Sequence, residues 1–229
     1  MSNPYTIPVA DLPADERGTF IVRTYSLLTL AVLLFVGIEV WFFSTGIANA
    51  IMSVVASVSW LLILGGFMLL SWMATFFASP RLSKPVQYLG LGLYVLGQAI
   101  ITVPLLILAN QTAPGIIASA AQATLGGFFL MTGVVVFTRK DFSFMRTFLF
   151  WGGLVALATI VCAVLFHFDL GTWFSVAMVI LAGGSILYTT SSVMRDFPED
   201  AYVAAAIQLF SAVALLFWYV LRLFIGSRR

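Results

Sequence analysis

This chain has very little charge. Only 9% of its 229 residues are Asp, Glu, Lys or Arg, against about 25% in soluble domains. So few charges cannot clothe a surface that faces water on all sides. With 62% hydrophobic residues and a mean hydropathy of +1.08, the composition indicates an integral membrane protein. Cysteine is almost absent: Cys162 stands alone in "TIVCAVLF", which excludes an internal disulfide and a C-x-x-C metal or redox motif. It reads as a small residue facing lipid or core. The one histidine, His167 in "HFDLG", reads with Asp169 as a solvated loop residue and makes no metal site. The basic residues are scattered between apolar runs and the net charge is only +2, so nucleic acid is not a partner. H-E-x-x-H, G-x-S-x-G and a glycine loop with lysine are all missing, as is a pair of acids on one buried face. The chain therefore reads as no enzyme, with no catalytic, cofactor-binding or metal residues.

Long apolar runs are what it does have. A spanning helix needs about 20 apolar residues, and seven runs qualify, at 24–46, 50–78, 86–109, 114–138, 147–167, 170–194 and 201–226. They are continuously apolar rather than alternating, which disfavours a spanning barrel. The connections are short and rich in Gly, Pro and polar residues, so successive helices are antiparallel neighbours. The expected fold class is an all-α integral membrane bundle of seven helices, forming one domain over 24–229. Before it, residues 1–23 carry three prolines and mixed charge. That segment reads as a cytoplasmic tail, unlike a secretory signal with its basic start and apolar core.

Loop charge sets an expected orientation. With the N-terminus inside, Arg17, Arg23, Arg81, Lys84, Arg139, Lys140, Arg146 and Arg195 all lie inside, eight of the eleven Lys and Arg. Arg222, Arg228 and Arg229 lie outside. Glycines recur within the runs. In "GLGLYVLG", Gly90 and Gly97 fall one heptad apart on one face, as suits closely approaching membrane helices.

Ionisable groups inside a membrane are functional candidates. Glu39, in "VGIEVWFF", lies about 24 Å along a helix from Arg23. It reads as an ion or proton site, or as an acid near the outer interface that pairs with Arg222 or reaches water. Arg222, in "YVLRLFIG", reads as a snorkelling residue. Gln98, Thr102, Gln122, Thr124, Gln208 and Ser211 are expected to hydrogen-bond between helices, and Pro104 to kink its helix. In "GSILYTTSSVMRDFPED" four hydroxyls, Thr189, Thr190, Ser191 and Ser192, stand together with no acid among them.

Two stretches carry a resemblance: "TRKDFSFMRTFLFWGG" over 138–153, and "SILYTTSSVMRDFPEDAYVAAAIQLFSAVALLFWYVLRLFIG" over 185–226. With "VRTYSLLTLAVLL" at the first helix, their order resembles the Bax inhibitor family, in particular its bacterial YccA-like branch, across nearly the whole chain. The resemblance implies six helices around a central seventh, in a bacterial inner membrane with the C-terminus periplasmic. Some members of the family are pH-sensitive calcium leak channels. Their switch is an aspartate after "ILY" on the sixth helix and a second one ten residues before the "LLR" arginine. A bacterial member modulates a membrane AAA protease through its cytoplasmic tail. Here the first switch position is Thr189 and the second Ala212, so the carboxylate pair is missing. Two close acids share a proton and titrate with displaced values; hydroxyls do not titrate near neutrality. Neutral oxygens alone hold calcium poorly, which makes calcium a doubtful ligand. The expected role is that of a partner or modulator of another membrane-protein complex. The alternative is an ion leak or transporter gated without carboxylates, with Thr189, Thr190, Ser191, Ser192, Gln208 and Ser211 as the polar cluster.

Overall fold

A computed structural model of the chain describes residues 7–227. It contains eight α-helices among those residues: α1 Ala14–Thr45, α2 Ile47–Ser57, α3 Trp60–Phe77, α4 Lys84–Thr112, α5 Ile116–Thr138, α6 Met145–Phe166, α7 Gly171–Arg195 and α8 Tyr202–Gly226. Seven are long and apolar enough to cross a membrane; α2, with eleven residues, is not.

The bundle is organised around α8, the most buried helix. It packs most extensively on α7 and also on α5, α1 and α4. The two remaining spans stand further out: α3 leans chiefly on α4, and α6 on α7. The central position of α8 follows from its sequence. Small residues, among them Ala205, Ala206 and Ala212, alternate with Leu209, Phe210 and Leu216 and are buried with them. Thin and thick positions of this kind let neighbours approach from several directions. By contrast, α3 and α6 expose Trp72, Phe76, Phe150 and Trp151, the large apolar side chains a lipid-facing helix can present without cost.

Two expected boundaries differ. The first helix begins ten residues earlier than the run at 24–46, at Ala14, so the tail is shorter than 1–23. Pro13 is its N-cap and Asp15 and Glu16 occupy its first turn, where negative charge complements the exposed N–H groups. Ahead of it, Val9 and Leu12 are buried, and Val9 N–H donates to the Phe197 carbonyl at 2.9 Å. The expected tail residues 1–6 lie outside the described residues. The run 50–78 is two helices, broken at Val58, whose extended backbone (φ −117°, ψ 145°) ends α2. Polar Ser57 and Ser59 flank that break, and hydropathy alone did not resolve it.

Glycine sets the α3–α4 seam. A Cβ at Gly90 would lie 2.8 Å from Phe77 Cβ and 3.1 Å from the Ala74 carbonyl oxygen, and one at Gly97 would collide with Leu70. Both therefore face α3, as their heptad spacing predicts. Within α4, Pro104 has no N–H to return to the preceding turn.

Candidate functional site

All eight loop and helix-end cations named above for the inside fall at one end of the bundle, hereafter the basic end. The four hydroxyls of α7 lie just inside it and are all buried. They do not act as one cluster, because residues 100° apart on a helix face different neighbours. Ser191 Oγ accepts from the Phe142 N–H at 3.3 Å, which ties α7 to the α5–α6 connection. Ser192 Oγ donates to Asp196 Oδ2 at 2.9 Å. Thr190 Oγ1 lies against the hydroxyls of Tyr25 and Thr132, in a loose group in which none makes a hydrogen bond of good geometry. Only Thr189 faces Gln208 and Ser211, with which it lines a cavity of ≈ 330 Å³ that also includes Ser71, Thr75 and Tyr94. No charged residue lines it. Gln208 is exposed and Ser211 half-buried.

The loops at this end are stitched to α7. Arg195 donates to the Arg139 carbonyl and lies 3.5 Å from Asp141. Asp141 in turn accepts from the Ser143 N–H at 2.8 Å. The Ser143 backbone and hydroxyl, with Arg195 adding to them, hold its carboxyl below the usual range. Arg139 itself takes a left-handed conformation, φ 52°, as the C-cap of α5. On the other flank Lys84 Nζ donates to the Asp200 carbonyl at 2.8 Å and sits 4.3 Å from the centre of the Tyr202 ring.

Two of the hydroxyls expected to bond across helices bond within their own helix instead, while Ser211 of α8 does meet the Tyr94 hydroxyl of α4. Thr102 donates to the Gln98 carbonyl at 2.6 Å and Thr124 to the Ala120 carbonyl at 2.8 Å, each one turn back in its own helix. A short side chain reaches its own i−4 carbonyl more easily than a neighbouring helix.

The two intramembrane charges are kept apart. Glu39 is 7% exposed, and neither carboxyl oxygen has a hydrogen-bond partner among the described residues. It lines a cavity of ≈ 610 Å³ between α1, α5 and α8, to which Leu106 and Asn110 of α4 also contribute. Arg222 lines a different cavity, of ≈ 570 Å³, with Asp169, Trp218, Tyr219 and Gln98. The expected Glu39–Arg222 pair is therefore not formed. Glu39 lies six residues before the end of α1, and apart from Asn110 and Thr124 the residues that line its cavity are apolar. Tyr94 and Ser211 line both the Arg222 cavity and the Thr189 cavity, so those two adjoin along α8.

Sequence reasoning missed Thr24, Tyr25, Thr132 and Gln87, each with a buried polar atom that has no partner. Thr24 and Tyr25 stand between Arg23 and Ser26, and Gln87 follows Lys84, where polar residues are ordinary, and burial at a helix crossing is not written in local pattern. Among the described residues no group of His, Cys, Asp and Glu could hold a metal ion. Cys162 is exposed, on the outer face of α6.

Comparison with known proteins gives a consistent picture. Residues 17–229 match the model of a family described as "Inhibitor of apoptosis-promoting Bax1". The chain is 32% identical over 110 residues to an uncharacterized protein of Pseudomonas aeruginosa and 31% identical over 114 residues to an uncharacterized membrane protein of Vibrio cholerae. Each alignment covers 48% of this chain and 49% of the relative. The chain thus spans about half the length of the curated relatives it matches.

Proposed function

The chain belongs to the Bax inhibitor family, and we propose that within it this protein is a non-enzymatic partner or modulator of another membrane-protein complex, such as a membrane AAA protease. One observation carries the reading. The two positions at which the family resemblance places switch acids are a buried threonine and a buried alanine, Thr189 and Ala212, and the cavity at Thr189 has no charged wall. Neighbouring hydroxyls are committed to fastening the basic end: Ser191 holds the α5–α6 connection and Ser192 holds Asp196. A calcium path wants several oxygen ligands, preferably anionic, and a pH switch wants titrating groups.

In this reading the basic end faces the cytoplasm of a bacterial inner membrane, following its excess of Lys and Arg, and the C-terminus faces the periplasm. The face offered to a partner is the start of α1. Asp15 and Glu16 are exposed there and, with Glu199 and Asp200, line a shallow acidic pocket beside Arg23. The fastened segment at Val9 holds that face in place. The test is a photo-crosslinking residue at Glu16, with a second at Phe137 on the lipid-facing side as control, in cells expressing the chain at native level. The reading expects one stoichiometric protein adduct from position 16. Adducts to lipid alone from both positions would refute it.

A second reading is supported by the adjoining cavities. The space at Arg222 and Asp169 and the space at Thr189 and Gln208 share Tyr94 and Ser211 as walls, so the two adjoin beside α8, and the Thr189 part has no charged wall. Neutral linings can conduct. Ion flux that a Ser211→Trp substitution abolishes would favour a leak over the partner role.

A further inference from the structure

The cavity between α1, α5 and α8 has the make-up of a ligand site rather than of a packing gap. Its volume, ≈ 610 Å³, falls within the range of small-molecule pockets, about 300–1,000 Å³. A single ionisable side chain lines it, Glu39. That residue is more than nine-tenths buried, and both its oxygens lack partners. A buried carboxylate without a counter-charge is strongly disfavoured. The protein does not supply that charge: no Lys, Arg or His lines the cavity. The other polar side chains there are neutral, Asn110 and Thr124, and the Thr124 hydroxyl is already given to its own helix.

Aromatic rings share the cavity with the carboxyl. Phe35, Phe43, Phe210 and Phe217 all line the cavity, and Phe35 meets Phe210 and Phe217 edge to face, with ring centres 6.1 and 6.4 Å apart. Ring faces attract a desolvated cation and are the usual walls of quaternary ammonium sites. The rim shows how a ligand enters. Val36, Val40, Phe43 and Leu125 line the cavity and are each between 39% and 63% exposed, on helices that face lipid. The opening is therefore lateral, into the bilayer, and selects a molecule that already partitions there.

We propose that this cavity binds a lipophilic organic cation, with its positive centre against the Glu39 carboxylate and its apolar body among the four phenylalanine rings. A zwitterionic phospholipid fits less well, because its phosphate would meet the same carboxylate with no basic residue to receive it. The inference is independent of the partner role, since none of the residues that line the acidic pocket at the start of α1 lines this cavity.

The test uses two probes of matched shape and opposite charge, tetraphenylphosphonium and tetraphenylborate. Their equilibrium binding is measured on the full chain in phosphatidylcholine nanodiscs. The expected result is saturable one-to-one binding of the cation, weakened at least tenfold by Glu39→Gln, and no saturable binding of the anion. Ala121→Phe, which fills the cavity and leaves Glu39 intact, should abolish cation binding while the protein keeps its melting profile. Equal cation affinity in the wild type and Glu39→Gln would overturn the proposal, and so would equal binding of both probes. Native mass spectrometry that finds a phospholipid retained by both the wild type and Glu39→Gln, and lost only in Ala121→Phe, would overturn it as well, in favour of a lipid site.

Discussion

Four hydroxyls at the basic end and one carboxyl in the opposite half of the bundle pose the same question and receive different answers. Thr189, Thr190, Ser191 and Ser192 are buried, but α7 distributes them around its circumference, and two are already bonded, Ser191 to the α5–α6 connection and Ser192 to Asp196 at the end of its own helix. Glu39 is equally buried and has nothing. The number of polar groups in a stretch of sequence therefore says little about where a site is. What marks a site is hydrogen-bonding and charge capacity that the fold leaves unmet inside a space large enough to fill.

Substitutions can break or sharpen that contrast. The largest effect is expected at Glu39. Replacing it with leucine removes a buried acid that has no partner, so Glu39→Leu should stabilise the ligand-free protein by about 1–3 kcal/mol, read as a higher melting temperature in detergent. A lower one would mean that Glu39 is engaged after all. Next is the pair Thr189→Asp with Ala212→Asp. Two buried acids on adjoining helices have folded pKa values raised by burial and by each other. Their protonated form is favoured in the folded state, so the double variant should lose stability as pH rises from about 4 towards those raised values. The wild type has no acid at either position, so the pH dependence that the double variant shows beyond the wild type's belongs to the pair.

A finer comparison lies within the hydroxyl stretch. Ser191→Ala should cost about 1 kcal/mol, because the Phe142 N–H loses its acceptor, whereas Thr190→Val should be near neutral, because Thr190 has no well-formed bond to lose. Equal effects would show that the four act together. The smallest effect is at Asp141, which is exposed at the basic end. Its carboxyl is held low by Ser143 first and by Arg195 as well. A depressed acid contributes stability above its ordinary value, near 4, and loses it only as pH falls through the lower folded value. Asp141→Asn should therefore leave melting between pH 5 and pH 8 parallel to the wild type and differ from it little, as exposed ion pairs contribute little.

Much of the fold was legible because membrane helices are written in one variable. Continuous apolar length gave seven spans, and the family resemblance implied that the last would be the one the others surround. The α3–α4 seam was legible in the spacing of Gly90 and Gly97. Hydropathy could not see that Ser57–Ser59 divides one run into α2 and α3, nor that a polar stretch from Ala14 is helical, since helix-forming propensity and apolarity are separate properties. The site was less legible. Glu39 stood out as a charge in an apolar run, but the phenylalanines that share its cavity come from two helices far apart in sequence, α1 and α8, and have no sequence signature. The pairing of Glu39 with Arg222 failed because depth in the membrane can be estimated from position along a helix, while the side of α8 a residue faces depends on packing. The hydroxyls looked like one cluster because they are adjacent in sequence, and adjacency on a helix separates rather than gathers.

The central claim is that the basic-end hydroxyls are a fastening and not an ion gate. Calcium entry into proteoliposomes from pH 6 to pH 8, beside a family member that holds both switch acids, tests it most directly. The account predicts flux for that member and none above empty liposomes for this chain. Calcium entry through this chain that changes with pH would contradict it, and would place the gate in the adjoining cavities that meet at Tyr94 and Ser211.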